Sequence, residues 1–194
     1  MSYNYKQGVL KFNSKFNQPI DNIVLHDETS TIIFGREFNQ PIENVMWPKN
    51  LEHLEFGGDF NQPIENVKWP DSLKLIKFGC NFSQPIENVK WNDNLEHLEF
   101  GFEFNEPIEN VKWPNSLKKI VFDGNFNQPI ENVMWPKNLT YIEFGDDFNQ
   151  PIENVKWPYE LEYLQFGDNI NQPIENIKWP KTLVHIYFGG VNMA

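Results

Sequence analysis

The chain has 194 residues and a formal net charge of −11 at pH 7. This acidity speaks against an electrostatic nucleic-acid binder, which needs a basic face, and it disfavours binding to an anionic membrane surface. Cys80 is the sole cysteine of the sequence and cannot form an internal disulfide, so we expect a reducing cytoplasm, which is that of the host if the chain is viral.

A phrase close to Phe-Asn-Gln-Pro-Ile returns every 22 residues along the chain. Its first residue stands at Phe16, Phe38, Phe60, Phe82, Phe104, Phe126, Phe148 and Ile170. A fixed period of this length is typical of stacked repeat proteins, in which each unit contacts only its neighbours. We therefore predict one repeat domain over 1–194, with an N-terminal cap and first rung at 1–15, eight repeats at 16–189 and a C-terminal tail at 190–194.

Each unit contains one strand-like segment. Leu54 and Phe56 alternate with polar residues, which is the pattern of a half-buried strand. Every other unit has an equivalent pair, and Leu10 and Phe12 supply one more pair before the first full phrase. The sequence therefore predicts nine parallel strands, one for each coil.

Helices fit poorly into the 22-residue unit. Pro63 and Pro70 recur in most units, and each proline removes a backbone donor and blocks a helix that would run through it. The stretch 65–69 is short and is expected to form a second, outer strand or an extended arm. We predict an all-β fold: a single right-handed parallel β-solenoid of about eight 22-residue coils, with little or no helix.

Three more positions recur with the same period. Gly57 follows the strand, where glycine indicates either a positive φ or a close approach of backbones, and the shifted Asp123-Gly124 predicts a locally different turn. Asn66 has a counterpart in all eight units and is interpreted as a hydrogen-bonding ladder between coils. The column of tryptophans that includes Trp69 is expected to be buried, with an exposed sugar-stacking surface as the alternative.

The repeated motif resembles a known family. The segment Phe-Asn-Gln-Pro-Ile-Glu-Asn-Val-Lys-Trp-Pro at 60–70, together with Leu-x-x-Leu-x-Phe-Gly at 51–57, is similar to the FNIP repeat, a 22-residue relative of the leucine-rich repeats. The resemblance covers about 10–189. It implies an origin in social amoebae or in giant viruses that infect amoebae. Members often carry an N-terminal F-box, which implies substrate choice for ubiquitin ligases, but only about fifteen residues precede Phe16, too few for such a helical module.

In a leucine-rich arrangement, the residues between the apolar strand positions face the concave surface. Neighbouring strands lie about 4.8 Å apart, so charges at equivalent positions face one another. Two columns alternate in sign: Glu52, Lys74, Glu96 and Lys118, and then Glu55, Lys77 and Glu99. We interpret both as self-neutralising ladders that hold the strands in register.

The C-terminal part of the same face is aromatic instead of charged. Tyr141, Tyr163, His185 and Tyr187 neutralise no charge there, and an exposed aromatic cluster resembles a protein-interaction hot spot. The alternative is that the stacked tyrosines only stabilise the sheet. These four residues are the predicted protein-binding site.

Catalysis and metal binding are not expected. The column of Glu65 stacks like charges that Lys68 and its counterparts can relieve, and one carboxylate per turn makes a poor calcium site. His53 and His97 lie two rungs apart, about 9.6 Å, too far to share one zinc ion. We therefore predict no enzyme activity and no cofactor.

The function that follows is a non-enzymatic protein-interaction scaffold with a protein partner, in a ubiquitin-related or virus–host setting. The alternative is a structural solenoid that self-associates end to end, as a homodimer, through the exposed edge of its C-terminal strand at 183–188. A third hypothesis is a carbohydrate binder that uses exposed indoles.

Overall fold

The computed structural model describes residues 3–189, and the predicted tail at 190–194 lies outside the described residues. Ten strands form one sheet in chain order. They are β1 (Tyr3–Lys6), β2 (Val9–Phe12), β3 (Thr31–Ile33), β4 (His53–Glu55), β5 (Leu75–Lys77), β6 (His97–Phe100), β7 (Lys119–Phe122), β8 (Tyr141–Phe144), β9 (Tyr163–Phe166) and β10 (His185–Phe188). Within 3–189 there is no helix. The predicted all-β solenoid of 22-residue coils is confirmed.

Strands β2 to β10 are the nine predicted parallel strands. Each pairs with the strand one coil away in an unshifted register; Ile32 faces Leu54, and Leu54 faces Ile76. Of the two alternatives predicted for 65–69, the second strand does not form and the extended arm is found. That stretch is an extended arm with a turn, in which the Val67 N–H donates to the Ile64 carbonyl at 3.2 Å.

The sequence did not predict β1, which pairs with β2 in the antiparallel sense. Its segment Tyr-Asn-Tyr-Lys spans only four exposed residues and has no counterpart in the 22-residue units, so the repeat does not mark it. The two strands are joined by Gln7 and Gly8, which both have positive φ, at 51° and 79°. Two successive positive φ values belong to the tight hairpin turn whose twist matches that of the strands it connects.

The core consists of columns, where a column is the set of residues at equivalent positions of successive coils. Leu51, Leu54, Phe60 and Ile64 have no exposed surface, and their counterparts in the central coils are equally buried. Phenylalanine rings stack both within and between coils: Phe56 lies 4.0 Å from Phe60 and 5.6 Å from Phe78. This repeated apolar contact is the main stabilising term for a solenoid.

Between the coil of Phe56 and the next coil, the spacing of stacked rings increases from the strand phenylalanines to the tryptophans. It is 5.6 Å for the strand pair Phe56–Phe78, 6.1 Å for Phe60–Phe82 and 6.3 Å for Trp69–Trp91. Neighbouring strands themselves lie about 4.8 Å apart. These spacings agree with a leucine-rich-repeat arrangement, in which coils that are closer together at the sheet make the outer sheet face the concave side.

The tryptophan column is buried at four of its seven positions and half-buried at Trp47, Trp135 and Trp179, which confirms the prediction for most of its length. Trp69, Trp91, Trp113 and Trp157 are each between 7% and 9% exposed, and indoles of adjacent coils stack in the pairs Trp47–Trp69, Trp69–Trp91 and Trp157–Trp179. The hypothesis of a sugar-stacking indole surface is therefore wrong for this column. Six indole N–H groups are buried without a hydrogen-bond partner in the part of the chain described: those of Trp47, Trp69, Trp91, Trp113, Trp135 and Trp157.

The recurring glycine is required by a close approach of backbones. A Cβ on Gly57 would lie 2.0 Å from the carbonyl oxygen of Gly35, one coil away. Gly57 does not have a positive φ, which among glycines of the described chain is found at Gly8 and Gly124. The predicted local difference at Asp123-Gly124 is thus confirmed, with a φ of 35° at Gly124.

The prediction that the column of Asn66 forms a hydrogen-bonding ladder between coils is wrong. Asn66 and its counterparts are exposed, and the ladder is made by the asparagine of the Phe-Asn-Gln-Pro phrase. The Asn39 Oδ1 accepts hydrogen bonds from the Asn61 backbone N–H at 3.0 Å and from the Gln62 Nε2 at 2.8 Å. The same pair of bonds recurs in most coils and links each turn to the next.

Candidate functional site

The candidate site is the outer face of the sheet, and strand alternation decides which side chains reach it. In β8, Ile142 and Phe144 point into the core and are buried, while Tyr141 and Glu143 point outward. The unshifted register then aligns Tyr141 with Tyr163 and Tyr163 with His185 on adjacent strands. Outward side chains of successive coils are therefore in direct contact.

The four predicted binding residues lie together on this face. The Tyr141 and Tyr163 rings stack at 4.2 Å with planes 3° apart, and Tyr163 lies 5.3 Å from Tyr187 and 6.1 Å from His185. We call this set of four the aromatic cluster. Tyr187 is 49% exposed and His185 is also exposed, whereas Tyr141 and Tyr163 are half-buried.

Hydrogen bonds to neighbouring side chains hold the two inner tyrosines in place. The Tyr141 hydroxyl donates to Glu143 Oε2 at 2.7 Å, and the Tyr163 hydroxyl donates to Gln165 Oε1 at 2.6 Å. The Gln165 Nε2 in turn donates to Glu143 Oε1 at 3.4 Å. Burial raises the pKa of Tyr141, and the Glu143 carboxylate that accepts its hydrogen bond raises this pKa further. Tyr141 and Tyr163 are thus held in fixed positions next to the exposed Tyr187.

A charged network lies next to the aromatic cluster on β5, β6 and β7. Glu99 is at its centre, with Lys77 Nζ 2.8 Å from one carboxylate oxygen and His97 Nε2 2.9 Å from the other. The Lys119 Nζ lies 3.7 Å from the oxygen that faces His97. The His97 contact has the distance of an ion pair but lacks the alignment of a hydrogen bond.

These contacts change the acidity of Glu99. The contact with His97 lowers the pKa of Glu99 most, partial burial opposes it, and Lys77 lowers it further, to about 2. Glu99 therefore remains ionised through the physiological pH range and holds three strands together.

Lys119 connects the charged network to the aromatic cluster. Its Nζ lies 4.5 Å from the centre of the Tyr141 ring, a cation–π contact, while it also approaches Glu99. Sequence reasoning missed the roles of Lys119 and His97. The signal was available, because the 22-residue register places His97, Lys119 and Tyr141 at equivalent positions of consecutive strands.

The predicted charge ladders form only in part. Lys74 pairs with Glu52 at 2.8 Å and Lys118 pairs with Glu96 at 3.0 Å. Among the residues described, Lys74 makes no ion pair with Glu96, so the column consists of separate pairs. A lysine between two glutamates extends toward one of them, which breaks the continuous ladder that strict alternation predicts.

The arm opposite the sheet also differs from its prediction. The carboxylates in the column of Glu65 are mostly exposed, and across 3–189 none of them forms an ion pair with Lys68 or its counterparts. Solvent and salt screen the repulsion between these exposed carboxylates instead. Met46 and Met134, which replace the lysine, are 84% and 76% exposed.

Other kinds of site find no support in the described part of the chain. It holds no group of three His, Cys, Asp or Glu side chains that could bind a metal ion. No helix between residues 3 and 189 is long and apolar enough to cross a membrane.

Comparisons with known proteins agree with this architecture. A family model described as FNIP Repeat matches residues 27–59, 38–81, 60–102, 104–147, 126–158 and 148–190. None of the curated proteins compared with the chain matches it significantly.

Two solved structures are similar to different degrees. The crystal structure of CroV588, described as a novel circular LRR protein, is 34% identical with a TM-score of 0.55 and covers 97% of this chain and 41% of its own. The chain thus spans about two fifths of the length of that protein. A leucine-rich repeat protein from Bacteroides ovatus is 12% identical over 98% of this chain and 90% of its own, and its TM-score of 0.14 is too low to indicate a common fold.

Proposed function

Because the chain belongs to the FNIP repeat family, whose repeats here build a leucine-rich-repeat-like solenoid, we propose that it is a non-enzymatic scaffold that binds a protein partner. The partner docks on the aromatic cluster of the concave sheet face. The observation that carries this proposal is the exposed Tyr187 beside the fixed pair Tyr141 and Tyr163.

The chemistry of the aromatic cluster supports this role. Tyrosines supply a large contact area with little conformational entropy to lose, which is why they are enriched at the centres of protein interfaces. Tyr141 and Tyr163 are already ordered by stacking and by hydrogen bonds to Glu143 and Gln165, so binding would not have to order them. The net charge of −11 also favours a protein partner over a nucleic acid or an anionic membrane.

We place this activity in the cytoplasm, that of the host cell if the source is viral, in a ubiquitin-related or virus–host setting. The support is the single unpaired cysteine and the resemblance to FNIP repeat proteins. Proximity labelling in the native host, with the tagged chain as bait, tests the setting by the proteins it labels.

The binding site is tested by comparing variants in affinity purification from the same host. The double variant His185→Ala/Tyr187→Ala removes the exposed half of the aromatic cluster. We expect it to recover at least about tenfold less partner, as when hot-spot residues are removed. His53→Ala is the matched control, because His53 is an exposed residue at the equivalent position of β4. Equal recovery of the partner by the double variant and by His53→Ala would reject the aromatic cluster as the binding site.

A second candidate function, end-to-end self-association, is supported by the last coil. Leu183, Ile186 and Phe188 are only partly buried, whereas their counterparts in the central coils are buried, and within 3–189 the outer edge of β10 has no paired strand. An open edge is a template for pairing with another chain. The similar CroV588 is described as circular, and copies of this chain joined end to end would extend a comparable arc.

Light scattering over a range of protein concentrations tests self-association. Pairing through β10 predicts a mass that rises with concentration and returns to that of the monomer in Ile186→Lys, which places a charge at the partly covered edge. A mass that stays monomeric at high concentration rejects this function and leaves the scaffold proposal unaffected.

A further inference from the structure

A groove of about 420 Å³ lies beside the aromatic cluster, at the carboxyl ends of β5 to β8. Its lining includes Val121, Phe102, Glu99, Asp123 and Glu143. The apolar part includes Val121 and Phe102, which is 45% exposed, and the charged part contains the three carboxylates together with Lys77 and Lys119, which both lie within 4 Å of Glu99. The aromatic cluster and the groove are continuous, because Glu143 belongs to the groove and accepts the hydrogen bond of Tyr141.

The groove lies where the alternation of charges on the sheet is broken. The register aligns Glu55 with Lys77, Lys77 with Glu99, Glu99 with Val121, and Val121 with Glu143. Continued alternation would place a lysine at position 121. Val121 instead leaves two glutamates one strand away on either side, with a short apolar side chain between them.

The three carboxylates are not equally neutralised. Glu99 has Lys77, His97 and Lys119 within 4 Å. Glu143 accepts hydrogen bonds from Tyr141 and Gln165, which are both neutral donors, and no cationic nitrogen lies within 4 Å of it in the described chain. Asp123 accepts a hydrogen bond from the Gly124 N–H at 2.8 Å and is exposed.

We propose that this groove binds an arginine side chain of the protein partner, with the guanidinium between Asp123 and Glu143 and the aliphatic stem over Val121 and Phe102. A planar guanidinium can donate to two carboxylates at once, and its weakly hydrated stem and edges pack well on apolar surface. Lys119 over the Tyr141 ring is an internal example of a cation held by the same face. The inference rests on the proposed function, since it names a residue that the partner presents.

The experiment uses a small peptide in place of the partner. A negative result would therefore reject the arginine site without rejecting the scaffold proposal. The ¹⁵N-labelled full chain is titrated with the capped tripeptide acetyl-Ala-Arg-Ala-amide and, separately, with the same peptide carrying citrulline, the neutral isostere of arginine. We expect the arginine peptide to shift the amide resonances of 99–103, 121–125 and 143–145. The citrulline peptide is expected to leave them within experimental error.

Variants then assign the effect to the groove. Val121→Lys supplies the missing cation from the chain itself and is expected to abolish the shifts, while Val121→Thr, which keeps size and neutrality, retains them. Glu143→Gln is expected to weaken the apparent affinity at least about threefold, the lower range for losing one charge-assisted contact. If Val121→Lys does not fold, Glu143→Gln and the citrulline peptide decide the test. Equal shifts with both peptides, shifts mapped to the arm around Glu65, or unchanged affinity in Glu143→Gln would overturn the proposal.

Discussion

The Ser83 hydroxyl donates a hydrogen bond to Glu106 Oε1 at 3.2 Å, and this pair stands where the other coils have the asparagine and glutamine of the amide ladder. In a regular coil the asparagine oxygen accepts and the glutamine amide donates, as between Asn61 and Gln84 at 2.9 Å. At Ser83 and Glu106 the direction of donation is reversed. Two substitutions in adjacent coils thus compensate for each other.

This relationship predicts a positive coupling between positions 83 and 106. Ser83→Asn alone places an amide oxygen beside the Glu106 carboxylate and is expected to lower the free energy of unfolding by about 1 kcal/mol. The double variant Ser83→Asn/Glu106→Gln restores the ladder and is expected to be at least as stable as the parent chain. Urea denaturation of the parent, both single variants and the double variant measures the coupling, and additive effects of the two substitutions would contradict it.

The close approach of coils at the recurring glycine predicts very different effects for two adjacent residues. In Gly57→Ala the new Cβ would lie 2.0 Å from the Gly35 carbonyl oxygen, which is backbone and cannot move aside. We expect a loss of about 4 kcal/mol or failure to fold. In Gly58→Ala the nearest atom is 3.7 Å away, so we expect a change within about 0.5 kcal/mol. Chemical denaturation followed by tryptophan fluorescence compares the two, and similar losses would show that the predicted backbone contact is absent.

The low pKa of Glu99 predicts a specific acid sensitivity. Contact with His97 and Lys77 lowers this pKa from 4.5 to about 2 in the folded chain. A carboxyl group whose pKa falls on folding contributes stability that is fully present above its unfolded pKa, and this contribution is lost as the pH falls toward the folded value. The free energy of unfolding should therefore fall between pH 4.5 and pH 2, and this part of the fall should vanish in Glu99→Gln.

Glu65→Gln is the matched control for this measurement, because Glu65 is an exposed carboxylate of the arm. It removes the same charge without touching the network of Lys77, His97 and Lys119. Parallel pH profiles for the parent chain and Glu99→Gln would contradict the assignment.

The N-terminal hairpin predicts a stabilising substitution. Gln7 has a φ of 51°, a left-handed conformation that glutamine adopts at a cost and asparagine adopts readily. Gln7→Asn is expected to raise the free energy of unfolding by about 0.5 kcal/mol, and Gln7→Val is expected to lower it by at least 1 kcal/mol or so, because a β-branched side chain clashes there. Thermal unfolding of the two variants tests the order, and a more stable Gln7→Val would exclude this turn geometry.

Several features of the structure could be read from the sequence because they repeat. The alternation of Leu54 and Phe56 and the 22-residue period predict the strands, their register and the buried columns. The same register places Tyr141, Tyr163, His185 and Tyr187 on one face. The strand β1 lacks this repetition, because its segment Tyr-Asn-Tyr-Lys is short and occurs once.

Period and alternation therefore determined the coil, the sheet and the composition of its two faces, since each coil buries the same apolar side chains against the next. Only the tertiary structure decided which polar groups meet. The column of Asn66 is asparagine in all eight units and that of Asn61 in seven, and only the fold shows that Asn61 reaches the backbone of the next coil. Lys119 could extend in several directions, and the positions of Glu99 and of the Tyr141 ring decide its direction. Long polar side chains have many rotamers of similar energy, and contacts with other coils select among them.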